Sequence, residues 1–388
     1  VLDFDASAIV GIIRSHSPEL KAARWRIDEA RGRLRQSGLR TNPSLIAGYQ
    51  HDAGFNELGG TIGFMQAFPV TARLRLEREV SEAEVEVAEA EVADFERRLA
   101  GRAMLIMVRY LSLIEQKDLR SRQIQLASEL GAFTESMAQK GEGSPLDAAQ
   151  ARIEAGQLEI QLHRIEAQAD QLLGELCTMV GLSRDRKISI TGKLEPPAGI
   201  IENKEFDLRL RPDYRAAARA VIAAGTAVRL EEARRWNDIT ASFLGGVSRR
   251  EDAPLGLVPE QRISVQVSIP LPLWNRNEGA VEERQATRSR LESSLAALEI
   301  SIRNEALTAL QMMQDEAGLL NEITREVLPM SRKQVDDTMQ AYTNGLTDLL
   351  SVLRARDQHL RLQEDHLDCL RDYHLARIRF LTASGRLQ

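Results

Sequence analysis

The chain has 388 residues, 43% of them hydrophobic and 28% charged, with only 4% aromatic. Its formal net charge is −6, and its lysines and arginines are scattered along predicted helices rather than blocked together, which excludes a nucleic-acid partner. Ala, Glu, Leu, Arg and Gln dominate, the composition of long helices packed on one another rather than of two or three ordinary globular domains.

The N-terminal stretch from Asp5 to Ser15 reads as a short amphipathic helix. A second helix starts at Pro18 and runs to about Gly38, since proline is cheap where its missing N–H has no partner. Asn42 and Pro43 break that pattern. Strands are expected at about 44–51 and 61–68, with a glycine-rich loop between them. In the second strand Ile62, Phe64 and Phe68 share a face that Gln66 interrupts.

No proline occurs from Thr71 to Gln139, and the whole stretch reads as one helix on the order of 100 Å long, with Gly101 and Gly131 as weak points. Residues 141–145 turn the chain. Ser144 then caps a helix with Pro145 at its first position, closed by Gly181. Ser183 to Arg211 reads as a connector with little regular structure beyond a short extended run at Ile188–Thr191.

From Pro212 the order repeats. Pro212-Asp-Tyr-Arg-Ala-Ala-Ala-Arg219 answers Pro18-Glu-Leu-Lys-Ala-Ala-Arg24, and Gly345 and Ala355 stand at one offset from Gly141 and Ala151. Strands are expected at about 239–248 and 262–269, separated by a loop holding Arg249 to Pro259. A helical hairpin at about 276–383 answers the first at about 71–180, with only Pro329 to interrupt its long arm. The divisions are therefore a first repeat at 1–193, a connector at 194–211 and a second repeat at 212–388.

The stretch Arg262–Ile269 alternates without a fault. Ser264, Gln266 and Ser268 form one face, expected to line a wet lumen, and Ile263, Val265, Val267 and Ile269 form the other, expected to meet lipid. A half-buried sheet of a soluble protein is the other reading of that alternation. A lipid-facing sheet must close, four strands are too few, and three copies would supply twelve. No run of apolar residues is long enough for a transmembrane helix. No signal peptide precedes Val1, so export would require that one has been removed.

No nucleophile elbow, phosphate loop or dinucleotide fingerprint appears, and neither catalytic residues, cofactor nor metal is expected. The two cysteines form no motif. His359 and His366 share a helical face but stand about 10 Å apart along the axis, too far to hold one zinc ion. Trp236 and Trp274 are suited to a membrane interface, Trp25 to packing between helices.

The order and spacing of Pro18–Arg24, Asn42-Pro43-Ser44-Leu45, Arg211-Pro212-Asp213 and the two glycine turns resemble the TolC-type outer-membrane efflux proteins over nearly the whole chain. The stretch Ile269-Pro-Leu-Pro-Leu-Trp-Asn-Arg-Asn-Glu-Gly279 is similar to the CzcC-type heavy-metal branch of that family. The resemblance implies a mainly α fold with a small membrane β part. It implies a homotrimer whose twelve-stranded barrel sits in outer-membrane lipid on a helical barrel in the periplasm. It also implies a periplasmic adaptor and an inner-membrane pump of the RND type as partners, and a passive duct rather than an enzyme, with heavy-metal cations among the expected cargoes.

Asp147 and Tyr342 match positions of tip contacts in that family, whereas Ser351 and Arg354 stand where many members carry acidic residues, and Thr347 where several carry a basic one. Asp348, three residues before Ser351, is expected either to form a displaced acidic ring across three copies or only to cap the last helix. A periplasmic coiled-coil adaptor without a membrane barrel is the alternative reading of the whole chain.

Overall fold

The computed structural model describes residues 2–5, 8–52, 57–142, 144–182, 188–197, 207–252 and 256–387. The chain divides into two compact units interleaved in sequence. One holds residues 1–24, 92–212 and 298–388, the other 25–91 and 213–297, and the chain passes between them within long helices.

The second unit is built on an antiparallel sheet of four strands: β2 (Ser44–Asp52), β3 (Glu57–Phe68), β5 (Ile239–Asp252) and β6 (Gly256–Ser268). Their order is β2-β3-β5-β6, so the two hairpins lie side by side and β2 and β6 are left as open edges. The strands reach further than alternation suggests. Gly59 and Gly60, expected in a loop, pair with Gln50 and Tyr49. Arg249 and Pro259, expected in the other loop, are cross-strand partners. Pro259 stands on β6, an outer strand of this sheet, where proline is found more readily than in a central strand.

The helices of this unit are α2 (Pro18–Gln36) from Trp25 on, the start of α3 (Arg73–Gln139), α5 (Pro212–Ala233) and the start of α6 (Glu278–Glu322). Arg73 clamps the top of α3: its guanidinium donates to Asp238 at 2.7 Å and Glu77 at 3.0 Å, and Arg234 reaches the same Glu77 at 3.1 Å. Gly38, at φ +69°, turns the chain out of α2 where a Cβ would stand 2.6 Å from the Leu74 carbonyl oxygen.

The first unit is helical. It contains α1 (Ile9–His16), α3 from Val92, α4 (Pro145–Val180), α6 from Leu298, α7 (Leu328–Thr343) and α8 (Leu349–Ala383). Phe380 is fully buried in a cluster with Ala309, Leu310, Met313, Ala317, Tyr373 and Ala376, which joins α6 to α8. The apolar run Ala103–Val108 is wider than one helical stripe: Ala103, Ile106, Met107 and Val108 are all buried. Arg97, itself buried, binds Asp94 at 2.7 Å and the Thr382 carbonyl at 2.5 Å, tying α3 to the end of α8.

Three local expectations are corrected. The N-terminal helix begins at Ile9; Asp5 instead ends a short strand, β1 (Leu2–Asp5), which pairs in parallel with β4 (Ile188–Thr191) of the connector. Gly101 is no weak point but a close-packing position, since a Cβ there would stand 2.7 Å from Thr382 Oγ1. The second long helix is interrupted before Pro329 by a π-helical turn at Ile323–Val327, closed by the Leu328 N–H to the Ile323 carbonyl. Proline lacks the N–H that would bond the carbonyl four residues back and its ring crowds that turn, and a wider turn relieves both.

Candidate functional sites

The first site is the sheet. Residues opposite one another in the ladder share a face, so the register assigns both faces completely. Leu45, Phe64, Phe243 and Val265 form one row, Ala47, Ile62, Gly245 and Ile263 the next, and Tyr49, Gly60, Val247 and Gln261 the one beyond. This face is apolar and uncovered: Ile263 is 74% exposed and Val265 70%. Gln66, which interrupts it, donates its amide to the carbonyls of Thr41 and Ala67 at 2.8 and 2.9 Å, so it brings no unmet donor to the surface. Ile269 lies just past the last paired residue of β6 and is 56% exposed.

The opposite face is mixed: it carries Ser264, Gln266 and Ser268 with Ser242 and Thr61, the apolar Ile46, Met65 and Leu244, and glycines 48, 63 and 246. The glycines are there because the strands crowd this side. A Cβ on Gly63 would stand 2.3 Å from the Phe243 carbonyl oxygen, one on Gly48 2.7 Å from Thr61 Oγ1, and one on Gly246 2.9 Å from Thr61 Cγ2. The crowding falls on the face of Ser264, Gln266 and Ser268; on the apolar face a Cβ on Gly60 would meet nothing within 4 Å and one on Gly245 only the Ile62 carbonyl oxygen at 4.0 Å.

The second site is the pair of helical turns in the other unit. Both are built alike. Gly141, at φ +76°, donates to the Ala138 carbonyl while Glu142 donates to Met137; Gly345, at φ +72°, donates to Tyr342 while Leu346 donates to Ala341. This double bond pattern around a left-handed glycine satisfies the last carbonyls of each helix. Three residues beyond each glycine stands the cap of the next helix. Ser144 Oγ accepts from the Leu146 N–H at 3.2 Å, and Asp348 Oδ1 accepts from the Ser351 N–H at 2.9 Å and from the Ser351 hydroxyl at 2.6 Å.

The structure thus brings Asp348 and Ser351 together. The Ser351 hydroxyl and N–H hold the Asp348 carboxyl below the usual aspartate range, with a smaller contribution from Arg354, so the exposed turn carries a fixed negative charge. Arg354 is exposed one turn further along α8, and Tyr342 is 38% exposed beside the glycine. Asp147 lies in the first turn of α4, but its side chain falls outside the described residues. Two tip residues escaped sequence reasoning: Leu146 and Leu346 are 78% and 80% exposed. Their signal is a leucine in the first turn after a cap, or directly after a turn glycine, where no helix face exists to bury it. On α4, Leu146, Ile153 and Ile160 recur every seven residues on one uncovered face.

The histidines of α8 serve packing. His359 Nδ1 meets the Ser331 hydroxyl at 2.7 Å, and His374 Nε2 donates to the Glu195 carbonyl at 2.8 Å, holding the connector to the helix. Burial pushes His359, His366 and His374 below the ordinary histidine value.

The sequence profile described as Outer membrane efflux protein matches residues 9–182 and 208–386, which takes in both hairpin units and both turns. The chain belongs to the outer membrane efflux protein family. Among relatives of this efflux protein is the cobalt-zinc-cadmium resistance protein CzcC of Cupriavidus metallidurans, 24% identical over 274 residues. That match takes in 69% of this chain and spans 58% of the relative's length. The fold is shared with VceC of Vibrio cholerae, at a TM-score of 0.76 and 18% identity over 98% of this chain and 96% of that one. It is shared equally with the CmeC outer membrane channel of Campylobacter jejuni, at 0.76 and 14% identity over 99% and 87%. The expected fold class, mainly α with a small β part on a duplicated plan, is the one observed.

Proposed function

We propose that three copies of this chain assemble an outer-membrane efflux duct. The observation that carries the reading is the sheet: four antiparallel strands with two open edges, an uncovered apolar face, and Ser264, Gln266 and Ser268 on the other face. Hydrocarbon cannot satisfy the free N–H and C=O groups of β2 and β6, so the sheet needs further strands, and twelve strands from three copies make a closed barrel. Ser264, Gln266 and Ser268 then line its lumen, and Ile263, Val265 and Val267 face lipid, with Ile269 at the boundary.

The helices supply the periplasmic part of the duct, with 1–193 and 212–388 as its two repeats and 194–211 as the connector. A periplasmic adaptor and an inner-membrane RND-type pump complete the system, and the duct itself performs no chemistry. The likeness to a cobalt-zinc-cadmium resistance protein supports heavy-metal cations as cargo. Three copies of Asp348 form the acidic ring of the tip, with Asp147, Tyr342, Ser351 and Arg354 beside it. An adaptor without a barrel is not favoured, because the family matched is that of the outer-membrane component.

The test is mass and conductance in neutral detergent. A particle of three chain masses that forms channels in planar bilayers is expected. A monodisperse monomer in plain buffer would refute the reading. Loss of the gene should sensitise cells to cobalt, zinc or cadmium if the cargo assignment holds, and to none of them if it does not.

A further inference from the structure

The arginines of the helical unit look dispersed in sequence, but the fold gathers several of them. On α3, Arg98, Arg102 and Arg109 follow one another at spacings that keep them on one face, and Arg371 and Arg379 stand on the facing side of α8. Together they border two adjoining hollows that share Arg379, of about 510 and 690 Å³, sizes typical of small-molecule sites.

The charges there do not balance. Asp372 is bound by Arg371 and Glu305 by Arg211, both at 2.8 Å, while Asp94 takes up Arg98 at 2.8 Å. Arg102, Arg109 and Arg379 make no ion pair with any described residue. The smaller hollow also borders Ser112, whose hydroxyl is buried and has no hydrogen-bond partner among the described residues. A buried hydroxyl left unmet is costly, which marks it as a donor without its acceptor. The remaining wall of this hollow includes Leu113, Leu172 and Leu375.

We infer that this hollow binds an amphipathic organic anion, a sulfonate, sulfate or carboxylate head on a short hydrocarbon tail. Arg109 and Arg379 take the head group with two cationic forks, Ser112 donates to it, and the leucines cover the tail. Guanidinium forks match the paired oxygens of such heads. Unlike the tip and the barrel, this site sits in the wall of the helical unit, and it stands whether or not the cargo is a metal cation.

The test is isothermal titration of the purified full-length protein in dodecyl maltoside at low salt with 1-hexanesulfonate, against 1-hexanol as the neutral match. Saturable sulfonate binding that weakens with salt is expected, with none for the alcohol. The Arg109→Gln/Arg379→Gln double variant should bind at least about tenfold more weakly, the loss expected when charged hydrogen bonds are removed. Arg288→Gln, on α6 in the other unit, should bind as the wild type does. Each single glutamine variant substitutes an exposed arginine and serves if the double does not fold. No sulfonate binding by the wild type, equal binding of the alcohol, or undiminished binding by the arginine variants would overturn the assignment.

Discussion

The assignment of the two sheet faces can be tested by placing one charge on each. Val265 and Gln266 are neighbours in β6 and point to opposite sides. Val265 belongs to the row of Leu45, Phe64 and Phe243. Along β3 the apolar face runs from Gly60 to Phe68, about 26 Å of strand at roughly 3.3 Å per residue. With a barrel tilt of about 40° this gives a band about 20 Å tall, near the height of a membrane barrel's apolar belt. Phe64, and with it Val265, lies at its midpoint.

Arginine at the midplane of the lipid face costs about 2–4 kcal/mol per chain, and on the lumen face close to nothing. Val265→Arg should therefore lower the folding equilibrium in liposomes by roughly 30- to 1,000-fold per chain, and Gln266→Arg should leave it nearly unchanged. Urea titration of refolding into vesicles, followed by tryptophan fluorescence, measures both. Equal losses would mean that neither face meets lipid, and a larger loss for Gln266→Arg would invert the barrel.

Three further outcomes follow from the helical unit. Asp348→Asn keeps a competent cap and removes the charge, so amide protection at the start of α8 should hold while cation selectivity of the reconstituted channel falls; unchanged selectivity would leave Asp348 as a cap alone. Because its carboxyl is held below the ordinary aspartate value, the cap's contribution is complete above that value and lost only as pH falls through the lower one in the folded chain. Gly101→Ala should cost about 1–3 kcal/mol against Thr382, less about 1 kcal/mol regained in helix propensity, and Gly101→Ala/Thr382→Ala should melt above the single variant. His359, depressed by burial, should weaken the fold as pH drops below about 6.5 toward its lower folded value, so His359→Gln should lose less on acidification from pH 8 to 5.5 in thermal melts.

The architecture was largely legible because it rests on periodicities. Strict alternation in 262–268 and the offset shared by Gly141 and Gly345 suffice to place a two-faced sheet and two matching turns. What escaped depends on partners far along the chain. The parallel pairing of Leu2–Asp5 with Ile188–Thr191 has no local signature in four residues. Gly59, Gly60 and Pro259 carry loop chemistry, yet the ladder enforces strand there. Gly101 reads as a helix weakness until Thr382 is seen against it.

At the tips, the three-residue spacing of Asp348 and Ser351 was readable, but the exposed leucines were not, since exposure is a property of the turn and not of the residue. The arginine groove was invisible for a different reason. Each arginine alone reads as part of a solvated helix face, and only the pairing of the nearby acids leaves three of them over.

The two open edges of the sheet have a consequence in parity. Each half of the duplicated chain contributes one hairpin, so the number of strands per chain is even and β2 and β6 run in opposite directions. A neighbouring copy's β2 laid beside β6 therefore continues the antiparallel order with no mismatched seam, whatever the number of copies. The strand directions alone permit a ring of any size. A chain that gained or lost a whole hairpin could still close, but one that gained or lost a single strand could not close without a parallel pair at every joint.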